Sequence, residues 1–278
     1  MAMEGHSTIA GAVCRRLRLA LGTFVAIHCR AADLATAERA LESAFAAIET
    51  VATRMHPTHH GSDLSAIRLS PVGYRLEVHP WTWEVLELSK RLNALSLGCF
   101  DPCLPAAVGC ISDVDLPAPG VVVRRASVSI DLGGIAKGYA VDRAIAALQA
   151  GGCSEGGVNA GGDLRVFGSS EQTVWVRIRA GASPITLRDC ACAVSDPVGS
   201  TRPSEHRGYY RRAHSGATAR WMRDQPAIVV ASTAAVADAL TKCVLLHDGL
   251  MSPRGLAKLL REFDATSIEV REWRQQSA

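Results

Sequence analysis

The chain has no surplus of either charge: 30 Lys and Arg stand against 27 Asp and Glu, a formal net charge of +3 over 278 residues. That is far from the concentrated basic stripe of a nucleic-acid binder, so no nucleic-acid partner is expected. No apolar run reaches the roughly 18 to 20 residues of a transmembrane helix, so no membrane span is expected. Paired CxxC knuckles are missing too. The nine cysteines are an odd count, and the spacings of Cys99 to Cys103 and Cys190 to Cys192 fit neither a zinc knuckle nor a small secreted disulfide framework. Several sit among Ala and Val as ordinary buried thiols, which favours a reducing compartment. There is no P-loop, no GxGxxG and no short-period repeat. What the chain does have is 48% hydrophobic residues, enough for one large domain or two intimately packed halves.

Arg15 to Ile27 puts basic residues ahead of a short apolar run, a pattern that can mimic a targeting signal. Its apolar residues Leu17, Leu19, Leu21, Val25 and Ile27 alternate, however, and predict one half-buried strand. Cleaving a structural strand would destroy the fold, so the cytoplasm is expected, with the periplasm as the alternative. Leu34, Leu41, Phe45, Ile48 and Val51 recur at helical spacing, and a short helix is expected to start at Ser62-Asp63. Pro80 opens a helix that ends by Gly98. Asp113 to Gly120, with two prolines, reads as a surface loop, followed by strands at Val121 to Val123 and Ser127 to Ile130.

A helix is predicted from about Gly138 to Ala150, strands near Leu164 to Phe167, Val174 to Ile178 and Ile228 to Ala231, a helix from Ala234 to Leu246, and a closing strand at Ser267 to Glu272. Strands and helices mix without strict βαβ alternation, which predicts an α+β fold. Residues 196 to 225 read as one long irregular excursion, usually a functional loop.

Three clusters carry candidate chemistry. Ser127 to Asp131 runs through Gly133-Gly134 into a helix holding Lys137. A glycine turn ahead of a helix N-terminus offers backbone N–H groups and a dipole to a phosphate, and the bland alternative is a tight turn beside a solvated lysine. Gly156-Gly-Val-Asn159-Ala-Gly-Gly-Asp163 packs four glycines, an amide and a carboxylate into eight residues, either a turn or a surface for a flat ligand. Asp238 lies among alanines on an apolar helix and needs a partner, either a metal ion or Lys242 one turn on.

In this order the motifs resemble the FAD:protein FMN transferase (ApbE) family over almost the full length. They are Leu21-Gly-Thr, Ser62-Asp-Leu-Ser65, Cys99-Phe-Asp-Pro102, Ser129-Ile-Asp-Leu-Gly-Gly-Ile-Ala-Lys-Gly-Tyr-Ala-Val-Asp142, Val158-Asn-Ala-Gly-Gly-Asp163 and Ala237-Asp-Ala-Leu240. The resemblance implies a single domain over about residues 13–275, an α+β fold of two related subdomains around mixed or antiparallel sheets. It implies FAD as substrate, Mg2+ at its pyrophosphate, and transfer of FMN to a Ser or Thr hydroxyl of an acceptor flavoprotein with release of AMP. The alternatives are an FAD-binding protein with weakened catalysis and a magnesium-dependent FAD pyrophosphatase. By the family pattern Asp131, Lys137, Phe100 and Asp101 contact FAD, with Leu21, Thr58, Cys99, Asn159 and Asp163 completing the set. Gly134 offers a carbonyl to the metal, and Asp238 is its main carboxylate.

The departures from that pattern fall at the metal end. Lys242 stands where the family usually has a Thr or Ser in the metal shell, and an ammonium cannot ligate magnesium. Either Thr241 supplies the oxygen, or Lys242 takes the cation's place. The family's histidine segment is absent as such, and Tyr209-Tyr-Arg-Arg-Ala-His214 stands near its expected place, making His214 the candidate general base or phosphate contact. Leu21 replaces a usual methionine, and Thr58 a usual aromatic that could have stacked on a ring.

Overall fold

Two residues in left-handed conformation, Leu21 (φ 53°) and Gly22 (φ 71°), turn the chain back on itself near its start. In the computed structural model, which describes residues 11–104, 107–178, 181–196, 226–246 and 251–268, they join strands β1 (Ala12–Ala20) and β2 (Thr23–Ala31) into an antiparallel hairpin. The single strand expected over Arg15 to Ile27 is therefore two. Leu17 pairs across from Ala26, so Leu17 and Leu19 lie on the face opposite Val25 and Ile27. The first two are 62% and 75% exposed, while Val25 and Ile27 are buried. Alternation continued through a two-residue turn, which is why period alone could not reveal it.

Helix α1 (Leu34–Arg54) is capped by Asp33, whose carboxylate accepts the Thr36 N–H, and it buries Leu41, Phe45, Ile48 and Val51. Ser62 likewise caps α2 (Asp63–Leu69), and Pro80 occupies the first turn of α3 (Pro80–Leu95). A small sheet follows, built from β3 (Leu76–Glu77), β4 (Val114–Ala118) and β5 (Val121–Arg124) in the order β3-β5-β4. The surface loop expected over Asp113 to Gly120 is thus largely strand. At the sheet's edge β4 tolerates Pro117, and its register slips between Asp115 and Ala118. Ser127 to Ile130, expected as a strand, forms only an isolated bridge between Cys103 and Ile130, with the Ser127 and Ser129 carbonyls accepting the Gly109 and Leu104 N–H groups at 2.8 and 2.7 Å.

The rest of the chain comprises α4 (Ala136–Ala150), β6 (Glu155–Ala160), β7 (Asp163–Phe167), β8 (Gln172–Ile178), β9 (Gly181–Leu187), β10 (Ala191–Ser195), β11 (Ala227–Ala231), α5 (Ala234–Leu246), α6 (Pro253–Glu262) and β12 (Thr266–Ile268). Seven strands form one sheet in the order β1-β2-β6-β7-β10-β11-β12, antiparallel throughout. One face carries α1, α4 and α5, with α4 between the other two. The other face carries the β8–β9 hairpin, which lays Val176 and Leu187 on Leu164, Val166, Cys192 and Ile228. The fold is α+β. Strands β6, β9 and β10 were not anticipated; in β6 the glycines hid a strand buried against both neighbours.

Candidate functional site

Three segments meet at one end of the large sheet. The β1–β2 turn lies against the β6–β7 turn, where a Cβ on Gly161 would crowd the Thr23 side chain. Val194 at the end of β10 donates its N–H to the Gly162 carbonyl at 3.2 Å. This brings Leu21, Asp163 and Ser195 to the same edge of the helix layer. Strand alternation then sorts their side chains. Asp163 pairs with Ala193 and shares the helix-facing side with Ala191 and Ala193, whereas Asn159 pairs with Leu164 and points to the opposite side. Asn159 is exposed and accepts the Gly162 N–H at 3.2 Å, capping its own hairpin. The second glycine cluster therefore contributes Asp163 to the site and uses Asn159 for the turn.

Over this edge lie α4 and α5, held close by a glycine. A Cβ on Gly138 would overlap the carbonyl oxygen of Ala234, so only Gly permits this crossing of α4 with the start of α5. Gly138 also turns its N–H toward Asp238 Oδ2 at 3.4 Å. One turn further along α4, Asp142 accepts the N–H groups of Ala234 and Ala235 at 2.9 Å each and a bond from Arg165 at 2.8 Å. It is the N-terminal cap of α5, supplied from another helix. Burial pushes the Asp142 carboxyl above the ordinary range, against the pull of those three donors.

Between the two helices and the sheet lie four charges. Lys137, on the first turn of α4, donates to Asp163, which is 1% exposed. Lys242 donates to Asp238 one turn earlier on α5, and Asp238 is fully buried. Burial and the nearby Asp238 raise the Asp163 carboxyl to about 6, with Lys137 and Lys242 pulling the other way. Burial acts on Asp238 in the same upward sense, but Lys242, Lys137 and the Gly138 N–H outweigh it and hold this carboxyl below the ordinary range. A hydroxyl relay completes the cluster. Lys242 Nζ lies 3.0 Å from Ser195 Oγ, Ser195 Oγ lies 2.7 Å from Thr241 Oγ1, and the Thr241 hydroxyl donates to the Asp238 carbonyl at 2.6 Å. Since Thr241 spends its one proton on that carbonyl, Ser195 donates to Thr241 and accepts from Lys242.

The other predicted residues fall around this centre. Asp131 precedes α4 and accepts the Gly133 N–H at 2.8 Å, closing the glycine turn that also contains buried Gly134. Its own N–H goes to the Pro102 carbonyl at 2.9 Å, tying it to the Cys99 to Pro102 segment. Cys99 reaches the Cys243 carbonyl at 3.9 Å, so this segment packs on α5 beside Lys242. Phe100 is a core side chain, and Asp101 accepts the N–H groups of Cys103 (2.9 Å) and Ile111 (3.3 Å), fixing the loop. Thr58 is exposed, with its N–H turned to the His56 ring at 3.3 Å. His214 and residues 197–225 lie outside the described residues. Ser195, Asp142 and Arg165 are the members that sequence reasoning missed; the only signal was a carboxylate, Asp142, on an otherwise apolar helix face.

The sequence profile of the ApbE family matches residues 21–265. A protein of Rhodobacter capsulatus named FAD:protein FMN transferase is 31% identical over 130 residues, which cover 37% of this chain and 25% of that protein. This match therefore spans about a quarter of the length of that curated relative. Among solved structures, the flavinyl transferase ApbE of Pseudomonas stutzeri superimposes with a TM-score of 0.77 at 18% identity, covering 95% of this chain and 93% of that one. The ApbE protein of Thermotoga maritima gives 0.75 at 22% identity, covering 90% and 91%. With the profile spanning nearly all of the chain, the protein belongs to the ApbE family.

Proposed function

We propose that this chain is an FAD:protein FMN transferase, moving FMN from FAD to a Ser or Thr hydroxyl of an acceptor flavoprotein. The carrying observation is the Lys137–Asp163 pair set beside the Asp131 glycine turn at the N-terminus of α4, within a chain matched by the ApbE profile. In such a reaction the acceptor oxygen forms a bond to the FMN phosphorus, the P–O bond to the AMP phosphate breaks, and AMP leaves with the bridging oxygen. The hydroxyl proton passes to a base, for which His214 is our candidate. The chain's share of the work is positioning and charge. Asp163 fixes the Lys137 ammonium at the first turn of α4, where helix dipole and lysine act together on a phosphate.

Magnesium enters this reading only through the family pattern, and the donors named for it fit poorly. Asp238 Oδ1 holds the Lys242 ammonium, Oδ2 faces the Gly138 N–H, and Thr241 has committed its proton and one lone pair. A divalent ion beside Asp238 would sit against an ammonium, so no step is assigned to it. The cytoplasm remains our reading of the site of action, on the cysteine usage of the sequence. No helix among the described residues is long and apolar enough to cross a membrane.

The test is incubation with FAD, with and without a flavoprotein bearing an acceptor Thr, reading AMP release and covalent flavin fluorescence on denaturing gels. AMP and covalent flavin that require the acceptor are expected. AMP without acceptor would make the protein an FAD pyrophosphatase, and FAD bound but unchanged would make it a binding protein.

A further inference from the structure

We infer that Lys242 is the built-in cation of this site, so that the chain holds the diphosphate of FAD without a divalent metal ion. The inference rests on the flavin reading above and concerns the end of the site that reading left unassigned. Lys242 is 6% exposed and its partner Asp238 is fully buried. An ammonium carries three N–H donors. Asp238 and Ser195 take two of them, and no other acceptor among the described residues takes the third. A buried ammonium with an unused donor is costly unless something fills it, and an anionic oxygen is the strongest available acceptor.

The neighbours fix where that donor sits. Ser195 and Thr241 orient Nζ through the hydroxyl relay, and Asp238 is itself positioned by the Gly138 N–H at the α4–α5 crossing. Lys137 stands at the other carboxylate of the same cluster, since Asp238 acts electrostatically on Asp163, Lys137 on Asp238 and Lys242 on Asp163. Two ammonium groups, each held by a buried carboxylate, thus belong to one cluster where α4, α5 and the sheet meet. That arrangement suits an incoming diphosphate and is hostile to a second cation. Lys242 is a binding residue here, and its effect is read on affinity and metal response.

The experiment is FAD titration by flavin fluorescence quenching, with EDTA and with millimolar magnesium chloride, alongside manganese EPR for a bound ion. The wild-type chain is expected to bind FAD with affinities within about twofold in the two buffers and to show no stoichiometric manganese signal. Lys242→Thr is expected to lose about tenfold or more of its FAD affinity in EDTA, to recover it on adding magnesium, and to gain a manganese signal. Lys242→Arg keeps the charge and is expected to stay indifferent to metal. The inference is overturned by a wild-type affinity that falls about tenfold in EDTA, by manganese bound to the wild type, or by a Lys242→Thr chain that binds FAD as well as wild type without metal. If that variant does not fold, the wild-type measurements alone still decide. Failure of the wild type to bind FAD in either buffer would instead sink the flavin reading itself.

Discussion

Burial beneath two helices sets the acidity of Asp163. Its carboxyl is raised to about 6 by burial and by Asp238, although Lys137 and Lys242 oppose the shift. A folded-state value above the unfolded one means that the native protein takes up a proton more readily. Asp163 therefore contributes stability that is full below the ordinary Asp range and is lost as pH rises through about 6. Urea unfolding of wild type and Asp163→Asn at about pH 5 and pH 7.5 should show the wild type losing stability relative to the variant on going up in pH. A constant difference would mean that Asp163 titrates as an ordinary carboxylate. Lys137 acts at the same point by charge. Lys137→Met removes one charge-assisted contact, worth about 1.5–3 kcal/mol, and should weaken FAD binding by about ten- to a hundredfold in fluorescence titration. An unchanged Kd would place the diphosphate elsewhere.

The start of α5 depends on a side chain 92 residues earlier in the sequence. Asp142 accepts two of the N–H groups that this helix start cannot satisfy internally, and Arg165 balances its charge. Asp142→Ala removes the cap and leaves Arg165 without its carboxylate, so a loss of about 2–4 kcal/mol is expected from the shift in urea midpoint. Because Asp238 and Lys242 ride on the same helix, FAD affinity should fall with it. A variant as stable as wild type would show that α5 is held by its packing alone. Sequence made the helices readable here: Leu41, Phe45, Ile48 and Val51 at helical spacing, and Pro80 at a first turn, report local rules that the structure obeys. It could not reveal that Asp142 serves another helix, since nothing local distinguishes a cap for a distant element from a polar interruption.

At the scale of the whole molecule, the large sheet is covered fully on its helix side and only partly on the other. The β8–β9 hairpin shields Leu164, Val166, Cys192 and Ile228, while Leu17, Leu19 and Phe24 at the β1 edge stay exposed. Arg15, Arg16 and Arg18 punctuate this edge strand, but the exposed Leu17, Leu19 and Phe24 form an apolar patch that invites association. Leu19→Lys combined with Phe24→Ser should reduce concentration-dependent association in light scattering while leaving FAD affinity within about twofold. Association that persists would locate the sticky surface elsewhere.

Composition gave no sign of a nucleic-acid or transmembrane role, periodicity located most helices, and the motifs around Asp131, Asp163 and Asp238 resemble those of a flavin-handling family. The α+β class, the helices and the family were legible because each depends on residues close together in the chain. The β1–β2 reversal, strand β6 within its glycines and the capping of α5 by Asp142 depend on partners far apart in sequence. The fate of Asp238 belongs to the same class. From spacing it could have held a metal ion or Lys242, and packing, which sets the pair against Ser195 and the crossing at Gly138, is what brings the lysine onto it.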